Sequence, residues 1–501
     1  MKRETQDVWG LLLCLLAWTL RLTVVGVHRL HPDEALYGHW GLLILSGRDP
    51  WLSAVPVYKP PLLPYLLSGS LALLGPSELA VRLPGLMAGL ATVGLTGRLV
   101  RRLYRDSMAG LAAALVVALS PFGILFSATG FTDPLMVVMG LAACVAAVER
   151  QSFLAGVLAG LSLAAKRTGV VWLPLVGLLA VSSAFRGRGV RLGRELARAV
   201  TGFLAVVGLV VGWDQVRMTQ GAQGFWGEGV IGYGGLRLIW PAELTPRLRA
   251  WVGLLRYLLG SPLLEVAFIG GATALVVRAL GRRDWSALFD LILIGFCLAY
   301  LLVHWLWAFP VWDRYLLPLV PLAAALLGRA VSAGARLLDR RWAAPLALSV
   351  VALCLVVPAG DAVAGRVPVG AGLATHDGIE QVTDFLRELP EGTVLYHHWL
   401  GWEYRFYLFD APLYLAYWPT PAWLARDVRA FGEAEPRYVV FPAWESSARV
   451  ERALANVGYR LELMLEARAQ DQTVSFRVYR IEKLERVRVE RRNAGGDGRG
   501  L

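Results

Sequence analysis

The sequence predicts a polytopic α-helical membrane protein of about eleven transmembrane helices, followed by a small extracytoplasmic α/β domain at its C-terminal end. Three observations carry this prediction. Hydrophobic residues make up 56% of the 501 and charged residues 18%, with a mean hydropathy of +0.52, a balance that belongs to a chain whose main solvent is lipid. Arginine-rich segments recur at every second connection between apolar runs, as the excess of basic residues in cytoplasmic loops requires. After Pro358 the apolar runs stop and the composition becomes that of a water-soluble fold.

Along the chain, uncharged runs at 8–20, 111–119, 200–212 and 343–357 approach, with their flanks, the ~20 residues that a spanning helix needs. Hydrocarbon offers no partner to a backbone amide, so each such run is expected to be helical. The first run is followed by Arg21 and a polar loop without a small-x-small pattern, and it reads as a retained first helix rather than a cleaved signal. Basic segments at Lys2-Arg3, at Arg98, Arg101, Arg102 and Arg105, at Arg150, and at 186–198, 278–283 and 329–341 are placed inside. The alternate connections, 28–76, 130–133, Lys166-Arg167, 217–260 and 308–313, then fall outside, with the N-terminus inside. Residues 1–360 form the transmembrane domain. In the extracytoplasmic domain, 361–484, helix-like stretches at 378–389, 422–431 and 447–456 alternate with β-rich ones at 393–399, 437–444 and 473–481. Residues 485–501 have the charged, glycine-rich composition of a disordered tail.

Composition also excludes classes of function. The net charge of +12 is split among short segments with no basic face interleaved with aromatics, so topology accounts for it and a nucleic-acid partner does not. Cys14, Cys144, Cys297 and Cys354 all lie in apolar runs without metal-ligand spacing and read as small buried hydrophobes.

Chemistry concentrates in the outer connections. The first carries His31-Pro32-Asp33-Glu34-Ala35-Leu36-Tyr37 and then Val57-Tyr58-Lys59-Pro60-Pro61-Leu62. Adjacent carboxylates beside a membrane helix are costly unless solvated or paired, and a wet loop end would explain them as well as a reactive site does. Thr132-Asp133-Pro134 opens the fourth helix, where Asp133 can be an N-cap with Pro134 at the first helical position, a role compatible with chemistry. Only Lys2, Lys59, Lys166 and Lys483 occur among the 50 basic residues. Lys59 and Lys166 fall at outer boundaries, where an ammonium meets a phosphate as a point charge or snorkels to headgroups. Arg314, between Trp312 and Tyr315 in a tryptophan-rich turn, is a headgroup anchor or a ligand contact, and the aromatics match an interfacial belt. Together, Asp33, Glu34, Lys59, Asp133, Lys166 and Arg314 map to one face under a topology drawn mainly from other residues. Carboxylates for proton abstraction and cations for a phosphate leaving group are what transfer from a lipid-linked sugar phosphate requires.

The motifs Asp33-Glu34 with Tyr37, Tyr58-Lys59-Pro60-Pro61-Leu62, Arg82-Leu83-Pro84-Gly85, Thr132-Asp133-Pro134 and Arg314-Tyr315-Leu316-Leu317-Pro318 with Pro321 resemble the GT-C class of membrane glycosyltransferases. Within that class they are most similar to the dolichyl-phosphate-mannose protein mannosyltransferase superfamily and its bacterial relatives that transfer aminoarabinose to lipid A. The resemblance implies a GT-C fold and an inverting transfer of a hexose or pentose from a polyprenyl-phosphate carrier to a lipid, glycan or protein acceptor. It implies Asp33 as catalytic base, Glu34 as the residue orienting acceptor or sugar, and Asp133 as a second acidic position. Lys59, Arg314 and Tyr315 would contact the donor phosphate; Lys166 extends that set, and Tyr37, Tyr58 and His31 would line the substrate pocket. Leu36 stands where the aminoarabinose branch typically has an arginine, and the long β-rich insertion of eukaryotic protein mannosyltransferases is missing. A prokaryotic plasma-membrane enzyme with its site on the extracytoplasmic side fits this pattern.

His28, His31, Asp33 and Glu34 offer nitrogen and oxygen ligands to a divalent metal, but the resemblance implies chemistry in which the lysine and arginine supply the positive charge, so no cofactor is expected. His397-His398 read as structural residues of a strand. Three other functions compete: a flippase for lipid-linked sugars, an envelope polysaccharide polymerase or ligase, and a scaffold. A flippase predicts charges near mid-bilayer and inverted repeats, and a polymerase or ligase is built around outer-loop Arg and His. The early Asp-Glu pair sets transfer apart from these.

Overall fold

The computed structural model describes residues 3–186, 192–227, 237–282, 284–338, 340–368, 370 and 372–484; the tail expected to be disordered, 485–501, lies outside them. The chain divides into two units, Met1–Thr375 and His376–Leu501. The first therefore runs past residue 360, a position that falls inside the last turn of an apolar helix ending at Val363.

In the first unit the described helices are α1 (Arg3–Val25), α2 (Pro32–Leu45), α3 (Leu62–Leu74), α4 (Glu78–Tyr104), α5 (Ser107–Leu119), α6 (Pro121–Ser127), α7 (Thr132–Val148), α8 (Ser152–Ala165), α9 (Trp172–Arg186), α10 (Leu192–Thr219), α11 (Pro241–Leu255), α12 (Pro262–Gly281), α13 (Trp285–Leu306), α14 (Leu319–Leu337) and α15 (Ala343–Val363). Among the described residues eight segments, in α1, α4, α9, α10 and α12–α15, are long and apolar enough to cross a membrane, and α5 with α6, bent by 57° at Ser120, adds a ninth. This is an integral membrane protein. The expected eleven spans also counted α7 and α8, which have 17 and 14 residues. At ~1.5 Å per residue they reach about 25 and 21 Å, short of the ~30 Å core. Both still run from one end of the bundle to the other. Asp133, at the start of α7, belongs to one charged cluster, while Glu149, at its end, pairs with Arg98 and Arg102 in another.

Close packing of α8 rests on glycine. A Cβ at Gly156 would lie 1.9 Å from the Ala199 carbonyl oxygen, and one at Gly160 would lie 2.7 Å from Val206 Cβ, so two small residues four apart let the backbone of α8 approach both the backbone and a side chain of α10. The connection 28–76 is no loop, because it holds α2 and α3. The 217–260 connection likewise holds α11, whose Arg247 donates to the carbonyls of His304, Trp305 and Trp307.

The second unit is a five-stranded sheet of order β2-β1-β3-β5-β4. Its strands are β1 (Val394–His397), β2 (Tyr414–Tyr417), β3 (Arg437–Pro442), β4 (Tyr459–Arg468) and β5 (Val474–Lys483). β2, β1 and β3 are parallel, whereas β5 pairs antiparallel with both β3 and β4. Period-2 alternation sends Leu395, Tyr438 and Val440 to one face, against α16 (Ile379–Arg387) and α17 (Gly401–Tyr407). Tyr396, Val439 and Phe441 go to the other, against α18 (Pro421–Phe431) and α19 (Ala448–Ala455). The α/β expectation holds, with β2, β4 and α17 added.

Glu403 of α17 is fully buried with neither carboxylate oxygen hydrogen-bonded; His376 Nε2 lies 3.3 Å from it. Burial pushes this carboxyl up from 4.5 to about 8. The folded state thus holds a proton that the unfolded chain releases near pH ~4.3, and stability contributed by this group is lost as pH rises between those two values. In Glu403→Gln, hydrogen exchange of β1 and α17 measured on the whole chain should lose its dependence on pH across that window, whereas the parent's protection should fall as pH rises.

Candidate functional site

Four helix ends and two loops bring the reactive side chains together. α2 begins with a reciprocal cap: the Asp33 amide donates to His31 Nδ1 at 3.1 Å, and the His31 amide donates to Glu34 Oε2 at 2.9 Å. Pro32 occupies the first turn, where no amide is missed. Asp33 and Glu34 therefore leave the helix at a fixed angle, and they diverge. Glu34 is 0% exposed. Its Oε1 accepts from Arg82 Nε at 3.0 Å and from the Gly130 amide at 2.7 Å, and its Oε2 accepts from Arg82 Nη2 at 3.0 Å. Arg82 also donates to the carbonyls of Val25, His28 and Arg29. This one ion pair ties the end of α1, the start of α2, α4 and the loop before α7. Both oxygens of Glu34 are occupied by protein donors.

The Arg82-Leu83-Pro84-Gly85 motif gains its meaning here. A Cβ at Gly85 would lie 2.1 Å from the Thr129 carbonyl oxygen, so glycine lets α4 press against the loop that delivers Gly130 to Glu34 and Asp133 to the site. α7 starts two residues earlier than the N-cap reading placed it. Phe131 is the N-cap, Thr132 the first helical residue, and Asp133 lies within the first turn. Its carboxylate is released from capping and instead accepts from Lys166 Nζ at 2.5 Å. Lys166 follows α8 as its C-cap, and its ammonium lies 4.6 Å from the centre of the Tyr315 ring.

Asp33 faces inward and accepts from Arg314 Nη1 at 3.0 Å. Arg314 sits in a 3-10 turn, Asp313–Leu316, sandwiched between Phe131 and Trp312 at 4.8 and 4.5 Å from their ring centres. Its Nε is buried without a hydrogen bond, which leaves a donor for a ligand. Lys59 is 6% exposed, with its ammonium 5.0 Å from the centre of the Tyr58 ring. Tyr58 packs on Trp40, which also meets Tyr37.

The electrostatics form one network. Burial raises the Asp33 carboxyl, but Arg314, His31 and Lys59 outweigh it and hold it below the usual carboxylate range. Burial opposes the charge of Arg314, and Asp133 with Asp33 reverses this, holding it above its ordinary value. Lys59 is pushed down to about 7, first by burial and then by the like charge of Lys166, against the pull of Asp33 and Asp133. Asp33, Lys59, Asp133, Lys166 and Arg314 thus act on one another across about 280 residues of sequence. Among the described residues no three of His, Cys, Asp and Glu gather as a metal-ligand set.

Sequence reasoning missed Trp40, Phe131 and Trp312 as the platforms that orient the cations, and nothing in their spacing separates them from an interfacial belt. It also missed Arg82 as the partner of Glu34. There a signal existed, since an arginine inside an apolar helix demands a buried acceptor.

Residues 58–213 match the family model described as dolichyl-phosphate-mannose-protein mannosyltransferase, a span that includes Lys59, Arg82, Asp133 and Lys166 but not Asp33 or Arg314. The crystal structure of ArnT from Cupriavidus metallidurans bound to undecaprenyl phosphate matches with a TM-score of 0.67 and 16% identity, over 95% of this chain and 98% of that one. The apo state of the same protein matches with a TM-score of 0.67 and 16% identity, over 96% and 98%. A comparison with curated proteins finds no match. Over 95% of its length the chain therefore has the fold of ArnT, as the motifs implied.

Proposed function

We propose that this chain, which folds as a GT-C membrane glycosyltransferase, moves a sugar from a polyprenyl-phosphate carrier to an acceptor on the extracytoplasmic face, with inversion and with Asp33 as general base. The observation that carries the proposal is the contact of Asp33 with Arg314, inside a cluster that also holds Lys59 and the Asp133–Lys166 pair. A base and a set of phosphate-binding cations lie side by side.

Alone, Asp33 is a weak base because Arg314 neutralises it. A donor phosphate offers Arg314 a second partner, drawing on its vacant Nε, and the weakened ion pair raises the basicity of Asp33 when substrate is present. Asp33 then takes the proton of the acceptor hydroxyl or amine. The acceptor attacks the anomeric carbon, the bond from that carbon to the phosphate oxygen breaks, and the electron pair leaves on the phosphate. The released phosphate monoester carries more negative charge than the diester, and Arg314 and Lys59 stabilise that gain. Lys166, already held by Asp133, supports the field and places Tyr315. Glu34 and Arg82 keep Asp33 in position.

The test is release of polyprenyl phosphate from a polyprenyl-phosphate sugar by the reconstituted chain, with mass spectrometry of lipid-linked sugars and envelope glycans in a deletion strain naming the acceptor. No release with any lipid-linked sugar that accumulates in that strain would overturn the proposal. A pH dependence follows from Lys59. Below about 7 its ammonium is present in the empty site, and above that value it is lost, so affinity for undecaprenyl phosphate should weaken as pH rises, by at most about tenfold per unit. Binding measured from about pH 6 to 9 should flatten in Lys59→Arg, whose charge persists throughout. A parent profile as flat as the variant's would remove Lys59 from the phosphate contact.

A further inference from the structure

At the opposite end of the helix bundle, the end of α4, the α7–α8 turn and the end of α9 border an open cavity of about 510 Å³ lined by Arg101, Arg102, Arg105, Arg150, Arg186 and Ser183, with Glu149 at its wall. We infer that this cavity binds a phosphate group at the membrane boundary, carried by an anionic phospholipid or free in solution.

Charge is the first reason. Glu149 is the acidic group in the wall, and it is already taken: Arg98 holds both its oxygens, at 2.8 and 2.6 Å, and Arg102 shares one at 2.7 Å. Among the described residues no carboxylate lies in ion-pair contact with Arg101, Arg105, Arg150 or Arg186, and Arg186 spends one donor on the Leu103 carbonyl at 3.1 Å. The dipole of a helix end attracts about half a charge, far less than four guanidiniums bring. An anion is the missing partner.

Two further observations, independent of charge, point to a built site. Ser183 is 6% exposed and its Oγ has no hydrogen-bond partner, an orphan that native proteins avoid unless a ligand or water completes it. Arg105 and Arg150 both adopt the left-handed backbone, with φ of 53° and 64°. Helices commonly end in that conformation on glycine or asparagine. Arginine here accepts a strained backbone at two separate chain turns that face the same cavity, a device that aims side chains where a regular helix end would not. Planar guanidiniums at the level where apolar helices end are suited to the oxygens of a phosphate. A merely positive loop would satisfy topology without a shared concave cleft, an orphaned hydroxyl or strain.

Asparagine tolerates the left-handed conformation, so Arg105→Asn with Arg150→Asn removes two charges and leaves the Glu149 ion pairs intact. Adducts of phosphatidylglycerol and phosphatidylcholine on the purified full chain, counted by native mass spectrometry, are the readout. The parent should prefer phosphatidylglycerol, the double variant should bind it about tenfold less tightly or worse, and Ser183→Ala should weaken it less. Arg105→Lys with Arg150→Lys should restore most of the binding. Removing basic residues outside the cavity, as in Arg282→Asn with Arg340→Asn, should change nothing. Inorganic phosphate that displaces the lipid at millimolar concentration identifies free phosphate as an occupant of the same cavity, and failure to displace it assigns the cavity to lipid. Equal binding of phosphatidylglycerol by parent and double variant, or an equal loss in the outside variant, would reduce the cavity to a topological charge cluster and overturn the inference.

Discussion

Asp33→Asn should lower kcat for sugar transfer by about 10²–10⁴-fold, the range lost with a general base, while leaving the protein folded and able to hold polyprenyl phosphate. The substitution is nearly isosteric, and the amide of residue 33 still donates to His31 Nδ1, so the start of α2 survives. What disappears is the carboxylate that accepts the proton and pairs with Arg314. Loss of that pair frees Arg314 for the donor, so donor affinity should stay the same or tighten even as turnover collapses. A flippase or scaffold carrying the same fold would be largely indifferent. The pH profile adds a second check. Against burial, Arg314, His31 and Lys59 hold Asp33 below the usual carboxylate range, so the acid limb of kcat/KM, which reports the free enzyme, should lie on the acid side of an ordinary aspartate's titration. An Asp33→Asn protein that turns over within a few-fold of the parent would end the base assignment.

Much of this site could be read in the sequence because its parts are charged residues at the ends of apolar runs. Membrane insertion makes such residues expensive, and the arginine bias sorts them by side. Asp33, Lys59, Asp133, Lys166 and Arg314 meet at one end of the bundle, and arginines 98, 102, 186 and 336 lie at the other. Roles were harder to read than places. Glu34 and Asp33 are neighbours of the same type, and only the turn of the helix between them decides that one faces Arg82 and the other Arg314. The helix α2 was hidden for a related reason: 32–45 is too short to span, and it lies buried among other helices instead of repeating an amphipathic pattern. In the second unit, β4 carries Glu462-Leu463-Met464-Leu465-Glu466-Ala467, a run of strong helix formers. It is a strand because β5 pairs along nearly its whole length, a tertiary fact without a local signal.

The difference between the two carboxylates yields the second large effect. Glu34→Gln should destabilise the membrane unit by about 3–5 kcal/mol, the cost of breaking a buried ion pair from one side. Arg82 has only 2% of its side chain exposed, so its charge would be left facing carbonyls and a neutral amide, with no water to replace the lost partner. The joint loosened is the one that fixes α1, α2, α4 and Gly130 together, and Asp33 rides on it. Transfer should therefore fall too, but through misplacement, and the two roles can be separated. Glu34→Gln combined with Arg82→Gln removes both charges and should recover a large part of the lost half-life at elevated temperature, and with it part of the activity. A residue that touched the substrate would behave otherwise: Glu34→Gln would lower kcat or raise the acceptor KM with thermal inactivation unchanged, and removing Arg82 as well could only make matters worse.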